Sequence, residues 1–171
     1  FKNAEKDPVI HFYEDFLGAY QKTIKKKRGV FYTPDAVVDF MVRSLDEQLR
    51  VSLGLPLGLA STKTWKEVVL TLNQGTAESS WVGIPEHAHE DDIFIRILDP
   101  ATGTGTFIKR VIEQIRTNLK THWRGMGWSL SKMRAEWHAY VSGKQGAEKD
   151  YTGQGLLDRL YAFELMVAPY V

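Results

Sequence analysis

Apolar residues recur at helical spacing in several stretches of the chain. The stretches are Ile10–Ile24, Val37–Leu49, Trp65–Leu72, Phe107–Ile115 and Leu130–Tyr140. Side chains at positions i, i+3, i+4 and i+7 lie on one face of a helix, so each stretch predicts an amphipathic helix with one buried side.

Two shorter apolar runs predict strands instead. Residues 93–98 read Ile-Phe-Ile-Arg-Ile-Leu and are followed by Asp99, and the run Leu160–Leu165 carries Glu164 near its end. Short β-rich runs of this kind favour buried strands. Since helical segments separate them, we predict that the two strands are parallel neighbours in one sheet. The predicted fold class is therefore α/β.

Capping signals give the expected helix boundaries. Asp7 and Pro8 would begin the first helix, and Thr33 would cap the second with Pro34 at its first position. Several hydroxyl residues could cap the remaining helices: Ser61, Thr62 or Thr64 for the third, and Ser129 or Ser131 for the last. The helix after Thr106 should extend to about His122. Residues 73–92 and 142–155 are polar and rich in turn formers, so we predict connections there.

Composition narrows the class of protein. The chain has 171 residues, 43% of them hydrophobic and 25% charged, which is ordinary for a globular protein. It contains no cysteine, which excludes disulfides and fits a cytoplasmic location. No run is apolar enough to cross a membrane, and the net charge of +1 does not by itself indicate nucleic acid.

Three clusters permit both a functional and a structural interpretation. Lys25, Lys26, Lys27 and Arg28 end the first predicted helix, where they could contact DNA phosphates or lie on a solvated helix end. Three tryptophans could stack on bases or pack in the core: Trp123, Trp128 and Trp137. His87 and His89 lie among acidic residues in the predicted polar loop, where we expect solvated surface and no metal site.

The chain's main chemical motif is the glycine loop, residues 99–107, between the first strand and a helix. Its sequence is Asp-Pro-Ala-Thr-Gly-Thr-Gly-Thr-Phe. Gly103 and Gly105 allow backbone angles closed to other residues, and the helix N–H groups near Thr106 would face a ligand. Asp99 would repel a phosphate but suits a ligand that offers hydroxyls or an ammonium group.

This loop closely resembles the cofactor loop of S-adenosyl-L-methionine (AdoMet)-dependent methyltransferases, in the Asp-Pro-Ala-x-Gly-x-Gly-x-Phe form of adenine-N6 DNA methyltransferases. Residues 29–34, Gly-Val-Phe-Tyr-Thr-Pro, resemble the segment that precedes the loop in the same class. That order of motifs is typical of the γ class. The resemblance implies that Tyr32, Thr33 and Pro34 flank the methionine of AdoMet.

The resemblance also implies the remaining cofactor contacts. Residues 163–170, Phe-Glu-Leu-Met-Val-Ala-Pro-Tyr, resemble the family's second-strand segment, in which the acid accepts the ribose hydroxyls. Glu164 would have that role, although it lies 65 residues after Asp99, against roughly 20 in a minimal dinucleotide unit. The implied loop contacts are Asp99, Ala101, Thr102, Gly103, Gly105 and Thr106.

The catalytic Asn/Asp-Pro-Pro-aromatic motif of the family is absent from these residues, which contain no Pro-Pro pair. We therefore expect a truncated Rossmann-like sheet: a helical N-terminal segment (1–60), a helix and polar loop (61–92), and the first part of the AdoMet-binding domain (93–171). The expected whole is a type IIG or type I-like restriction-modification enzyme that acts on double-stranded DNA. The piece alone would be inactive, and its open strand edges could pair with another copy.

Two alternatives stay open. The chain could belong to an AdoMet-dependent methyltransferase that acts on RNA, protein or a small molecule. It could also be a non-catalytic DNA-contacting module with a vestigial cofactor site. A nicotinamide dehydrogenase fits less well, because the loop lacks the third glycine of Gly-x-Gly-x-x-Gly.

Overall fold

The structure is a computed structural model that describes residues 33–143 and 154–164. The predicted helix over Ile10–Ile24, the cationic run 25–28 and Tyr32 lie outside the described residues. The described helices and strands are α1 (Asp35–Ser52), α2 (Trp65–Asn73), β1 (Ile97–Asp99), α3 (Thr106–Gly125), α4 (Leu130–Ser142) and β2 (Leu160–Ala162). Short 3-10 turns cover Gly58–Ala60, Glu78–Ser80 and Leu156–Arg159. This mixed composition confirms the α/β prediction in its coarse form.

The helix ends follow the capping signals with one correction. Thr64 caps α2 through a capping box with Glu67, and the Ser129 side chain caps α4. The assignment of Thr33 as the cap of α1 is wrong by one residue. Pro34 is the N-cap, in an extended conformation (φ −57°, ψ 139°), and its carbonyl oxygen accepts the first helical N–H bonds. Proline has no side-chain acceptor, so no side-chain hydrogen bond caps this helix.

The two strands are parallel, as predicted, but both are shorter than expected. The second was predicted over Leu160–Leu165 and ends at Ala162, so Glu164 follows the strand and is not part of it. The register pairs Ile97 with Leu160 and Asp99 with Ala162. The predicted strand over 93–98 is wrong at its start, because those residues pair with the segment that precedes α2. Ile93 forms an isolated antiparallel bridge with Thr64, and the Phe94 N–H donates to the Lys63 carbonyl (2.9 Å). Only the end of the run therefore reaches the parallel ladder.

The core joins α1 to α3 and α4. Val38 and Val42 of α1 pack in one cluster with Val111 and Ile115 of α3 and with Tyr140 of α4. A second, smaller cluster forms beneath α2 from Leu55, Val68 and Ile95. Burial of these stripes is the main source of stability that this sequence pattern supplies.

The tryptophans lie in and beside the first cluster. Trp123 is 2% exposed, and Trp128 stacks on it with ring centroids 5.8 Å apart. Trp137 stacks in the same way with Tyr140, at 6.0 Å. The structure therefore favours the core interpretation, most clearly for Trp123.

A buried carboxylate fixes the turn after α1. Asp46 Oδ1 accepts the Leu59 N–H (2.8 Å) and the Asn118 amide (2.7 Å), and its Oδ2 accepts from Arg50 Nε (2.9 Å). Gly58 lies against this carboxylate with φ +53°, and a Cβ at that position would overlap Asp46 Oδ1. One carboxylate, with both oxygens hydrogen-bonded, therefore holds together the turn, α1 and α3.

A buried guanidinium fixes the approach to β2. Arg159 is 1% exposed, and its Nη1 donates to the carbonyls of Leu59, Ser61 and Ile95. Its Nη2 donates to the Tyr140 hydroxyl, which in turn donates to the Ala60 carbonyl (3.0 Å). Burial raises the pKa of Tyr140 to about 12, against a smaller opposing effect of Arg159. Residue 159 directly precedes β2, so this contact positions the strand that leads into Glu164.

Candidate functional site

The glycine loop lies where the two parallel strands end. Asp99 is the last residue of β1, and Gly105 is the N-cap of α3 in the left-handed conformation (φ 81°). Gly103 also has a positive φ of 53°. A Cβ at either glycine would meet no atom of the described residues within 4 Å, so the backbone angle and not crowding requires glycine here. The space over both glycines is open to a ligand.

The loop is hydrogen-bonded to the chain that follows β2. The Thr102 N–H donates to the Phe163 carbonyl, and the Phe163 N–H donates to the Asp99 carbonyl, both at 2.9 Å. Glu164 adds a side-chain contact, because its Oε2 accepts the Gly103 N–H at 2.8 Å. The parallel pairing therefore brings the second predicted acid into direct contact with the loop, across 61 residues of sequence.

Two polar atoms in the loop are buried without a partner among the described residues. Asp99 Oδ1 accepts the Ala101 N–H at 3.2 Å, but Asp99 Oδ2 has no hydrogen bond. The Thr102 hydroxyl is buried and unpartnered in the same way. Buried polar atoms without partners cost free energy, so such atoms call for a ligand or an ordered water. A carboxylate oxygen and a hydroxyl suit a ligand that donates hydrogen bonds, such as an ammonium or a sugar hydroxyl.

The start of α3 completes the loop. The Lys109 N–H donates to the Gly105 carbonyl at 2.8 Å, which is the first helical bond after the N-cap. The hydroxyls of Thr104 and Thr106 lie 3.2 Å apart. Phe107 packs against the first core cluster, so this aromatic side chain is part of the packing beneath the loop.

The two helices α1 and α3 run in the same direction. Asp39 pairs with Arg110 near the beginning of both helices, at 2.5 Å, and Asp46 pairs with Asn118 two turns further along both, at 2.7 Å. Contacts that advance together along two helices require parallel packing. The N-terminal ends of α1, at Pro34, and of α3, at Gly105, therefore lie at the same end of the pair.

The structure thus places most of the predicted cofactor residues together. Asp99, Ala101, Thr102, Gly103, Gly105, Thr106 and Glu164 form the glycine loop and its contact after β2. Thr33 and Pro34 are exposed at the end of α1 that points the same way, without a hydrogen bond to the loop among the described residues. The bond from Gly103 to Glu164 was not predicted, because no local pattern in the sequence pairs residues so far apart.

The remaining clusters show less organisation. His89 Nδ1 lies 3.9 Å from the nearest oxygen of Asp91, and both side chains are more than 70% exposed. Within residues 33–143 and 154–164, no group of three or more His, Asp or Glu side chains could hold a metal ion. None of the helices in this part of the chain is both long and apolar enough to cross a membrane.

Comparison with known families relates part of the chain to a family of DNA-modifying enzymes. Residues 4–57 match the model of the N-6 DNA methylase family, about a third of the chain. The match includes residues 29–34 and the whole of α1 but not the glycine loop or either strand. No curated protein and no solved structure matches the chain significantly. The family match supports a DNA N6-methyltransferase-like function.

Proposed function

We propose that this chain is the AdoMet-binding portion of a site-specific adenine-N6 DNA methyltransferase of the γ class, from a bacterial restriction-modification system. The observation that carries the proposal is the glycine loop itself. Among the described residues it combines open space over two glycines, an unpartnered oxygen on Asp99, an unpartnered hydroxyl on Thr102 and an acid from the segment that follows β2. The family match covers a different part of the chain, so it supports the proposal independently.

Each residue of the loop would bind one part of the cofactor. Asp99 Oδ2 would accept from a donor group of AdoMet, with Thr102 beside it and Gly103 and Gly105 leaving room for close approach. A carboxylate offers about four lone-pair sites, so Glu164 can accept the Gly103 N–H and ribose hydroxyls together. Thr33 and Pro34 would approach from the end of α1, where the methionine part would lie. Ala101 and Thr106 would contribute backbone contacts.

The residues of this chain would bind and orient AdoMet. The methyl-transfer step would need further residues. Bound AdoMet supplies an electrophilic methyl group, which an adenine amino group would accept after the base leaves the duplex. The Asn/Asp-Pro-Pro-aromatic motif that would hold that amino group does not occur in the 171 residues. We therefore expect cofactor binding without methyl transfer by these residues alone.

Calorimetric titration of the chain with AdoMet, and separately with NAD, tests the proposal. We expect saturable AdoMet binding that Asp99→Asn and Glu164→Gln each weaken by about tenfold or more, since each removes a charged acceptor. Glu86→Gln, which changes an exposed acid in the loop before β1, serves as the matched control and should bind like the parent chain. The proposal would be rejected if the chain bound NAD more tightly than AdoMet. It would also be rejected if the parent chain and all three variants bound AdoMet equally.

A further inference from the structure

A groove of about 570 Å³ lies between α1 and α3. Its charged lining residues are Asp39 and Arg43 from α1 and Arg110, Glu113, Arg116 and Lys120 from α3. The groove begins one turn after the glycine loop and follows α3 for ten residues, about 15 Å at 1.5 Å per residue. It is therefore a separate surface that starts close to the candidate cofactor site.

Both acids of the groove are paired with the same arginine. Arg110 Nη2 lies 2.5 Å from Asp39 Oδ1, and Arg110 Nη1 lies 2.6 Å from Glu113 Oε2. The hydrogen bond with Glu113 and the nearby charge of Asp39 raise the pKa of Arg110 against the opposing effect of burial, so the guanidinium stays charged. One cation thus pairs with two carboxylates, so these three side chains together carry a net charge of −1.

The other three cations have no carboxylate within 4.0 Å among the described residues. Arg43 Nε donates to the Asp39 carbonyl (3.2 Å), and the Arg116 guanidinium lies over the Trp137 ring at 5.8 Å from its centroid. Lys120 is exposed one turn beyond Arg116. Together with the paired Arg110 and the two acids, these three cations give the charged lining of the groove a net charge of +2 (four cations minus two acids).

The positive charge is concentrated on this helix. α3 contains five lysines and arginines and a single glutamate, in a chain whose net charge is only +1. Arg116 and Lys120 are separated by about 6 Å along the helix axis. A row of cations beside an open groove matches a ligand with regularly spaced negative charges, which is the property of a phosphate backbone.

We propose that the groove between α1 and α3 binds the sugar-phosphate backbone of duplex DNA through Arg43, Arg116 and Lys120. The inference extends the proposed function, since DNA is the partner expected there, but it concerns a different surface from the glycine loop. An acidic protein segment would be a weaker match, because its carboxylates are less regularly spaced than phosphates. The phosphate contacts would position DNA without reading its sequence.

Fluorescence anisotropy with a labelled 20-base-pair duplex and the full chain, without AdoMet, tests this inference. The variant Arg43→Gln/Arg116→Gln/Lys120→Gln should bind about tenfold or more weakly at low salt. The slope of log K against log [salt] should also become shallower by about 3, roughly 0.9 for each phosphate that is no longer neutralised. The control variant Lys66→Gln/Arg96→Gln/Arg134→Gln removes the same charge from exposed positions outside the groove and should keep the parent slope.

Three results would overturn the inference. One is equal loss of binding in both variants, which would mean that net charge alone matters. Another is loss only when Lys25, Lys26, Lys27 and Arg28 are changed to Gln, which would place the contact on that run. The third is equally tight binding of a poly-glutamate peptide. If the chain binds DNA as expected but does not bind AdoMet, the proposed function is rejected, whereas the inference that the groove binds DNA is retained.

Discussion

Two acidic side chains, Asp46 and Asp99, differ in how completely they are bound. Asp46 is 4% exposed and accepts hydrogen bonds on both oxygens from the backbone and from three side chains. Asp99 uses one oxygen for a single bond of 3.2 Å, and its other oxygen is buried without a partner among the described residues. The saturated acid holds the fold together, and the unsaturated one is available to a ligand.

The neighbouring glycines differ in the same way. A Cβ at Gly58 would overlap the Asp46 carboxylate, whereas a Cβ at Gly103 would meet no atom within 4 Å in the part of the chain that the structure describes. Both glycines have a φ of 53°, so the backbone requirement is the same and only the surroundings differ. Glycine at position 58 therefore allows close packing against Asp46, whereas glycine at position 103 leaves the loop backbone accessible to a ligand.

The largest effect should follow removal of the saturated acid. Asp46→Ala leaves the Leu59 N–H and the Asn118 amide without their acceptor, and each buried donor left unpaired costs about 1–3 kcal/mol. We expect the free energy of unfolding, measured with urea, to fall by about 3 kcal/mol. A loss below about 1 kcal/mol would show that water replaces the carboxylate and would remove the contrast with Asp99.

The two glycines give the next largest difference. Gly58→Ala adds a steric overlap to the strain of a left-handed backbone, so we expect the free energy of unfolding to fall by about 3 kcal/mol. Gly103→Ala has only the backbone strain, so we expect a fall of about 1 kcal/mol. Thermal unfolding of both variants measures the difference. Equal destabilisation would mean that the loop is as tightly packed as the turn.

Alkaline pH should weaken the buried network specifically. The pKa of Tyr140 is about 12 in the folded chain, against about 10 when unfolded, so the unfolded chain loses its proton first. The stability that neutral Tyr140 contributes is complete below pH 10 and is lost as the pH rises toward 12, by about 1.4 kcal/mol per unit. Urea titrations between pH 9 and 11 should show this loss, and Tyr140→Phe should lack it.

The smallest effect on stability is expected at the unsaturated acid. Asp99→Asn keeps the shape of the side chain and reduces the cost of burying an unpartnered charge. We therefore expect the free energy of unfolding to stay within about 0.5 kcal/mol of the parent value. A stability loss as large as that of Asp46→Ala would show that Asp99 is a structural acid, whatever its effect on AdoMet binding.

Local patterns in the sequence were sufficient for most of the fold. The apolar stripes predicted α1 to α4, and the run of a strand, helices and a second strand predicted the parallel pairing of β1 with β2. The start of β1 was predicted wrongly, because the choice between pairing with β2 and pairing near Thr64 depends on contacts distant in sequence.

The buried polar anchors were harder to predict, for two different reasons. Val38, Val42 and Asp46 are four residues apart, so the helical stripe itself places Asp46 on the buried face, and this signal was available. Arg159 has no such signal, because its carbonyl partners lie 64 to 100 residues away. The glycine loop was recognisable from its own residues, whereas its contact with Glu164 arises only from the completed sheet.

The distant origin of these contacts has a consequence for folding kinetics. Gly103 and Glu164 meet only after the ends of a 61-residue stretch of chain come together, and Arg159 must close even longer loops to bind Ser61 and Ile95. Contacts of high sequence separation form late and slow the folding of a domain. The hydrogen bonds within each helix are local, so α1 and α3 should each form before the candidate cofactor site, whose acceptors come into position only after these distant contacts have closed.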